Sequence, residues 1–259
     1  MHPNDLFQLK GKTAIITGGG KGLGAQMANV LARAGANIVI CSRNEEICKQ
    51  TCKQLEEEAG VQTLAISCDV TKGEEIEAVI QATMEKFGQI DILINNSGTS
   101  WISPFIDFPE EKWDKVMDVN VKGTFLFSQA VAKVMMKQRK GKIINIASVT
   151  GMGGTFPELL DTIAYNTSKG AILTFTKDLA VKLARFNIQV NAIAPGFFPT
   201  KITEKVLKDV NAQVVKHIPA GRFGNSDDLK GATLFLASKA SDYCIGQVIV
   251  IDGGITALV

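Results

Sequence analysis

Short, almost wholly apolar runs of β-branched residues alternate with longer amphipathic stretches along the chain, and this rhythm restricts the fold more than any other feature. Strands are expected at Thr13–Thr17, Asn37–Cys41, Thr63–Cys68, Ile90–Asn95, Lys142–Ala147, Gln189–Ala194 and Gln247–Asp252. Helices fill the intervals, among them Leu23–Ala34, Glu74–Phe87, Glu110–Met136, Ala164–Ala184, Asp209–Val215 and Ser226–Ala237. A strand that is apolar at successive positions must be covered on both faces, as in a parallel sheet with helices on either side. The expected class is therefore α/β, one doubly wound domain over residues 1–259 with a parallel sheet of about seven strands. No linker, repeat or low-complexity segment divides it.

Charge and cysteine usage narrow the partners. A formal charge of +2 is too small to point to nucleic acid or a membrane surface. The densest basic run, Lys137, Arg139, Lys140 and Lys142, lies between a helix and a strand and reads as a solvated helix end. Met1–Lys10 lacks the apolar run of a signal peptide and no stretch approaches the roughly 20 apolar residues of a membrane span, so the cytoplasm is expected. Five cysteines, an odd number, argue against a disulfide framework. Cys48 and Cys52 are spaced to share one helical face as structural residues. With only His2 and His217 available, and neither beside a ligand-like neighbour, no metal site is expected.

Between the first strand and the first helix lies Thr17-Gly18-Gly19-Gly20-Lys21-Gly22-Leu23-Gly24. Glycines at such a junction let the backbone approach a pyrophosphate, whose charge then sits at the helix N-terminus of a Rossmann-type fold. An acidic residue about 20 positions further on normally holds the adenosine ribose hydroxyls and selects NAD. Here Ser42 occupies that position, Arg43 follows it and Lys21 stands before Gly22. A hydroxyl, a guanidinium and an ammonium suit a 2′-phosphate, so NADP(H) is the expected cofactor.

The spacing Gly18-x-x-x-Gly22-x-Gly24 resembles that of the classical short-chain dehydrogenases/reductases, and further motifs of that family follow in order. They are Asn95-Asn96-Ser97-Gly98, Asn120 in Val119-Asn120-Val121-Lys122-Gly123, Ser148, Tyr165-Asn166-Thr167-Ser168-Lys169 and Pro195-Gly196, together covering Leu9 to Gly254. The resemblance implies hydride exchange between a ketone and a secondary alcohol. It assigns Tyr165 to proton transfer and Lys169 to lowering the tyrosine pKa and binding the nicotinamide ribose. Ser148 would polarise the substrate oxygen, and Asn120 would hold a water that links Lys169 to solvent. Asp69 and Val70 would contact adenine. Gly18, Gly20, Lys21, Gly22, Leu23, Gly24, Asn96, Ser97, Gly98, Pro195, Gly196, Phe198 and Thr200 would line the rest of the cofactor site. A substrate-covering segment is expected at about 197–222, and a homotetramer as the assembly.

The substrate pocket is expected among Thr99, Ser100, Trp101, Thr150, Gly151, Met152, Phe197 and Phe198. The loop Gly153–Thr162, which separates Ser148 from Tyr165, is longer than is usual in the family and brings Phe156, Leu159, Leu160, Glu158 and Asp161 to its border. The two carboxylates are expected to face solvent. Residues 95–101 resemble 3-oxoacyl-thioester reductases, while residues 194–200 resemble gluconate 5-dehydrogenases. A sugar-acid substrate would want a cation near Trp101 and Ile102, where Lys201 is the one nearby candidate in sequence. The 3-oxoacyl reading is preferred, with the sugar-acid reading as its alternative and a non-catalytic dinucleotide sensor as a third.

Overall fold

Seven short apolar strands lie side by side, all parallel, in the order β3-β2-β1-β4-β5-β6-β7. They are β1 (Thr13–Thr17), β2 (Asn37–Ser42), β3 (Thr63–Ser67), β4 (Ile92–Asn95), β5 (Gly141–Ile146), β6 (Ile188–Pro195) and β7 (Val248–Ile251). This computed structural model describes residues 3–158, 160–199 and 214–258, and every count below refers to those residues. The helices are α1 (Gly22–Arg33), α2 (Glu45–Ala59), α3 (Gly73–Phe87), α4 (Glu110–Met117), α5 (Gly123–Gln138), α6 (Ile163–Ala184) and α7 (Lys230–Ala237). Strand order reverses between β1 and β4, so a crevice opens above their C-terminal ends, where such sheets bind ligands.

Alternate strand residues feed two separate cores, which explains why both faces of each strand had to be apolar. Ala14, Ile16, Ile38, Ile40, Ile92, Ile94 and Ile144 pack on one side with Met27 and Leu31 of α1 and Leu236 of α7. Ile15, Val39, Cys41, Leu93 and Ile143 pack on the other with Val79 of α3 and Phe127, Val131 and Met135 of α5. Each fully buried isoleucine or leucine contributes roughly 1.5–3 kcal/mol relative to exposure. Cys48, Cys52 and Leu55 form the buried face of α2, and all five thiols are free.

Two expected elements differ. The span Glu110–Met136 is interrupted by a π-helical turn at Asp118–Lys122, in which the Gly123 amide donates to the Asp118 carbonyl five residues back. The cause lies in Asn120, whose amide is drawn to the Thr99 backbone, and such widened turns concentrate at functional positions. The helix expected from Ser226 begins only at Lys230. The Asp228 carboxylate accepts from both Arg222 terminal nitrogens and from the Asn225 amide, holding the preceding residues in a turn. Most of the expected helix Asp209–Val215 lies outside the described residues.

The basic run after α5 is not simply a solvated helix end. Arg139 terminates α5 in a left-handed conformation (φ 57°), and Lys142 is buried with its ammonium 2.7 Å from Asp242 and 3.2 Å from the Ser241 hydroxyl. Lys140 lies 3.3 Å from Asp91, which is itself buried, 3.0 Å from Lys12 and an acceptor for the Thr13 amide. These ion pairs tie the N-terminal edge of the sheet together. Removing the Asp91 carboxylate takes the acceptor from Lys12 and the Thr13 amide and leaves Lys140 only the Gln89 side chain at 3.4 Å. Asp91→Ala is expected to lower unfolding stability by about 2 kcal/mol, allowing for the partial exposure of both lysines. Urea titration followed by circular dichroism measures it.

Candidate active site

At the C-terminal edge of β1 the chain turns through Gly18, Gly19 and Gly20 into α1. Gly18 has φ +65°, and a Cβ on Gly24 would lie 2.5 Å from the Gly18 carbonyl and 2.6 Å from the Asn96 amide. Only glycine allows the first turn of α1 to close against the loop this tightly. Lys21 occupies the N-cap without a side-chain cap bond, so the first amides of α1 are available to an anion. The turn is fixed from β4: the Asn96 side chain donates to the Thr17 and Gly18 carbonyls, and the amides of Asn96 and Ser97 both donate to the Thr17 hydroxyl. Asn96 thus holds the turn in shape, a different use of its side chain from direct cofactor contact.

Around the adenosine end, Lys21 and Arg43 are exposed, with no carboxylate at the end of β2. Ser42 is engaged locally. Its hydroxyl donates to the Asn44 carbonyl (3.1 Å), accepts from the Asn44 amide (3.3 Å) and lies 3.0 Å from the Cys48 thiol, itself packed near Gly20. Asn44 in turn caps α2 through the Ile47 amide. Asp69 accepts from the Thr71 amide and hydroxyl, which chiefly hold its carboxyl below the usual range, with a smaller contribution from Arg43. Val70 is buried, and a Cβ on Gly123 would come within 2.7 Å of it. This cradle fits NADP(H): a glycine loop and open helix amides for the pyrophosphate, and two cations with a hydroxyl for a 2′-phosphate.

Ser148, Tyr165 and Lys169 are brought together by α6 packing across the end of β5. Lys169 is buried, and its ammonium donates to the Ile146 carbonyl at 2.6 Å and lies 5.5 Å from the centre of the Tyr165 ring. Gly151 permits this approach, because a Cβ there would lie 2.5 Å from the Lys169 backbone. Ser148 accepts from the Thr150 amide (3.2 Å) and the Thr150 hydroxyl (3.0 Å). The lowered tyrosine pKa expected from sequence is not what the pocket produces. Burial raises the Tyr165 phenol, and the hydrogen bond with Ser148 only partly offsets it. Burial also lowers Lys169 to about 8, so its ammonium is held at a desolvation cost yet stays mostly protonated at neutral pH.

Asn120 is buried and braces two elements. Its side chain accepts from the Thr99 amide and donates to the Thr99 carbonyl and the Ser168 hydroxyl. Its carbonyl accepts from the Thr124 hydroxyl. Gly98 lies between, its Cβ position 3.4 Å from the Asn120 side-chain oxygen and 3.8 Å from the Lys169 ammonium. Opposite, the Gly196 amide donates to the Ile251 carbonyl and Phe198 is buried, while Thr200 and Lys201 lie outside the described residues.

Beside Trp101 the fold brings a cation that sequence reading missed. Lys112, in the first turn of α4, places its ammonium 4.6 Å from the centre of the Trp101 ring and 3.6 Å from Glu111. It lies eleven positions after Trp101 in sequence, so only the fold joins them. The Ser103 amide donates to the Asp161 carbonyl, tying this segment to the loop before Tyr165. From α6, Asn166 donates to the Thr155 hydroxyl of that loop and accepts from Thr162, and Glu158 is exposed. Leu159 lies outside the described residues. Among the described residues no group of three His, Cys, Asp or Glu side chains is arranged to hold a metal.

The Lys169 shift has a measurable sign. Its folded value of about 8 lies below the ordinary 10.5, so the folded protein binds fewer protons than the unfolded chain between those values. The penalty for burying the ammonium is therefore full below pH 8 and fades as pH rises. Relative to wild type, Lys169→Met is expected to be more stable at pH 7 than at pH 10, the difference changing by on the order of 3 kcal/mol. Urea unfolding of both proteins at the two pH values tests it.

Comparison with known proteins agrees with this arrangement along the whole chain. The family profile described as enoyl-(acyl carrier protein) reductase matches residues 18–256. A 5-keto-D-gluconate 5-reductase of Escherichia coli strain K12 is 41% identical over 259 residues, covering 99% of this chain and 100% of that protein. A 3-oxoacyl-[acyl-carrier-protein] reductase of Thermotoga maritima is 37% identical over 249 residues, covering 96% and 99%. The crystal structure of a gluconate 5-dehydrogenase from Burkholderia cenocepacia J2315 in complex with NADP and tartrate is 39% identical, with a TM-score of 0.94 over 100% of both chains. With the glycine turn and the Ser148, Tyr165 and Lys169 cluster in the order and place that the sequence motifs required, the chain belongs to the short-chain dehydrogenase/reductase family of oxidoreductases.

Proposed function

We propose that the protein is an NADP(H)-dependent enzyme interconverting the keto group and the secondary alcohol of a hydroxylated carboxylic acid such as a keto-gluconate. The observation that carries the reaction type is the meeting of Ser148, Tyr165 and Lys169 at one point of the crevice beside the glycine turn. NADPH, when bound, supplies the hydride. Tyr165 donates its phenolic proton to the oxygen that gains charge during reduction and takes it back during oxidation. Ser148 donates a hydrogen bond to the same oxygen. Lys169, buried one helical turn away, favours the ionised form of Tyr165 and replenishes its proton, with Asn120 bracing Thr99 and α6 around it. Lys21, Arg43 and Ser42 select the phosphorylated cofactor.

The substrate class rests on the rim. Lys112 over Trp101 supplies the cation a carboxylate needs. The E. coli and Burkholderia relatives are named for gluconate chemistry. Exposed Phe105, Ile106 and Phe156 at the same mouth favour a second reading, a 3-oxoacyl thioester, for which the Thermotoga relative is named. A homotetramer, in a reducing compartment such as the cytoplasm, accompanies this reading. It is supported by the half-buried apolar edge strand β7, by exposed Phe125, Val181, Tyr243 and Leu258, and by the five free thiols.

NADPH oxidation is expected with 5-keto-D-gluconate and not with an acetoacetyl thioester; the reverse preference would select the second reading. Lys112→Met should raise KM for the keto acid by about 10-fold, the size of one charged hydrogen bond, and leave a neutral ketone unaffected. Ser42→Asp places a carboxylate beside Arg43 and should shift the ratio of kcat/KM for NADPH over NADH by at least about 10-fold towards NADH. An unchanged ratio would place the phosphate site elsewhere.

A further inference from the structure

The geometry points to Thr150 as a positioning residue that keeps the Ser148 hydroxyl a donor, its one proton directed to Tyr165 in the free site and to the substrate oxygen once substrate is bound. This rests on the proposed roles of Tyr165 and Ser148. A serine hydroxyl has one proton to give and two lone pairs to fill. Thr150 occupies both acceptor positions, one from its backbone amide at 3.2 Å and one from its hydroxyl at 3.0 Å. Both residues are buried, so water does not compete freely for these positions. The Ser148 oxygen then has no place left to accept the phenolic proton of Tyr165. Its own proton is its remaining hydrogen-bonding capacity, and it is directed outward along the chain Thr150 to Ser148 to Tyr165.

Two effects favour ionised Tyr165. The neutral phenol is denied an acceptor in Ser148, and the donor facing the phenolate is strengthened because each hydrogen bond in a chain polarises the next. The hydrogen bond from Ser148 opposes the effect of burial on Tyr165. Valine at 150 keeps the backbone amide bond, the shape and the apolar contacts, and it frees one lone pair on Ser148. The phenol can then donate to Ser148, and ionisation becomes harder. Serine at 150 keeps the hydroxyl and should keep the effect.

The composition makes this directly measurable. The chain has two tyrosines, and Tyr243 is fully exposed, so Tyr243→Phe leaves Tyr165 as the sole phenol. In that background, ultraviolet titration should show Thr150→Val raising the Tyr165 ionisation by about 0.5–1 pH unit, the size of one ordinary hydrogen bond. Thr150→Ser should leave it within about 0.2 unit. In steady-state oxidation of D-gluconate with NADP, Thr150→Val should lower kcat about 10-fold with KM within about twofold, and move the pH–rate profile upward by the same amount. Circular dichroism and NADPH fluorescence show whether each variant folds and binds cofactor. An unshifted ionisation and profile in Thr150→Val, or a Thr150→Ser variant as impaired as valine, overturns the assignment. Retained turnover in Tyr165→Phe overturns instead the reading on which it rests, while the titration still reports on Thr150.

Discussion

A single hydrogen bond, from the buried ammonium of Lys169 to the carbonyl of Ile146, sets the geometry on which the active site depends. Ile146 is the last residue of β5 and Lys169 lies in the second turn of α6, so the bond locks the helix across the strand end. Tyr165 is carried by the same helix one turn earlier, and Ser148 follows Ile146 by two residues. Placing the ammonium therefore places the other two groups as well. Burying a lysine is unfavourable, as its depressed pKa of about 8 shows, and the surrounding packing must supply the difference. Gly151, which leaves no side chain between the 148–151 turn and α6, is part of that supply.

Much of this was readable from sequence, because the features that encode it are periodic or local. Strands buried on both faces announce themselves by uninterrupted apolar runs, and all seven appear within two residues of their expected ends. The glycine turn was legible because its spacing sits at a strand–helix junction. What sequence could not show were contacts across the fold. Lys112 and Trp101 meet because α4 folds back over the segment after β4. Lys142 reads as one charge in a basic run, yet pairing with Asp242, 100 positions away, buries it. The π turn at Asp118–Lys122 has no local signal, since its cause is the attachment of Asn120 to Thr99 and Ser168.

Tyr165 shows a related limit. The helical spacing to Lys169 suggested a cation lowering the phenol's pKa, which treats charge as if it acted in an unchanged medium. Burial instead disfavours both charged forms, phenolate and ammonium, and the hydrogen bond with Ser148 is what opposes it at the phenol. The same reasoning explains Ser42 and Asn96. Each was expected to face the cofactor, and each spends hydrogen bonds on shaping the backbone that would hold it.

The two edges of the sheet divide the molecule's tasks. The glycine turn, Ser148, Tyr165 and Lys169 lie at the C-terminal edge, while Asp91 with Lys12 and Lys140, and Lys142 with Asp242, close the N-terminal edge. A five-residue strand such as β1 separates them by about 15 Å. Substitutions that far apart, sharing no partner, combine additively in free energy. The ionic edge can therefore drift, or be strengthened for use at higher temperature, without altering the electrostatics around the reacting oxygen, so robustness and specificity can evolve in this fold on separate schedules.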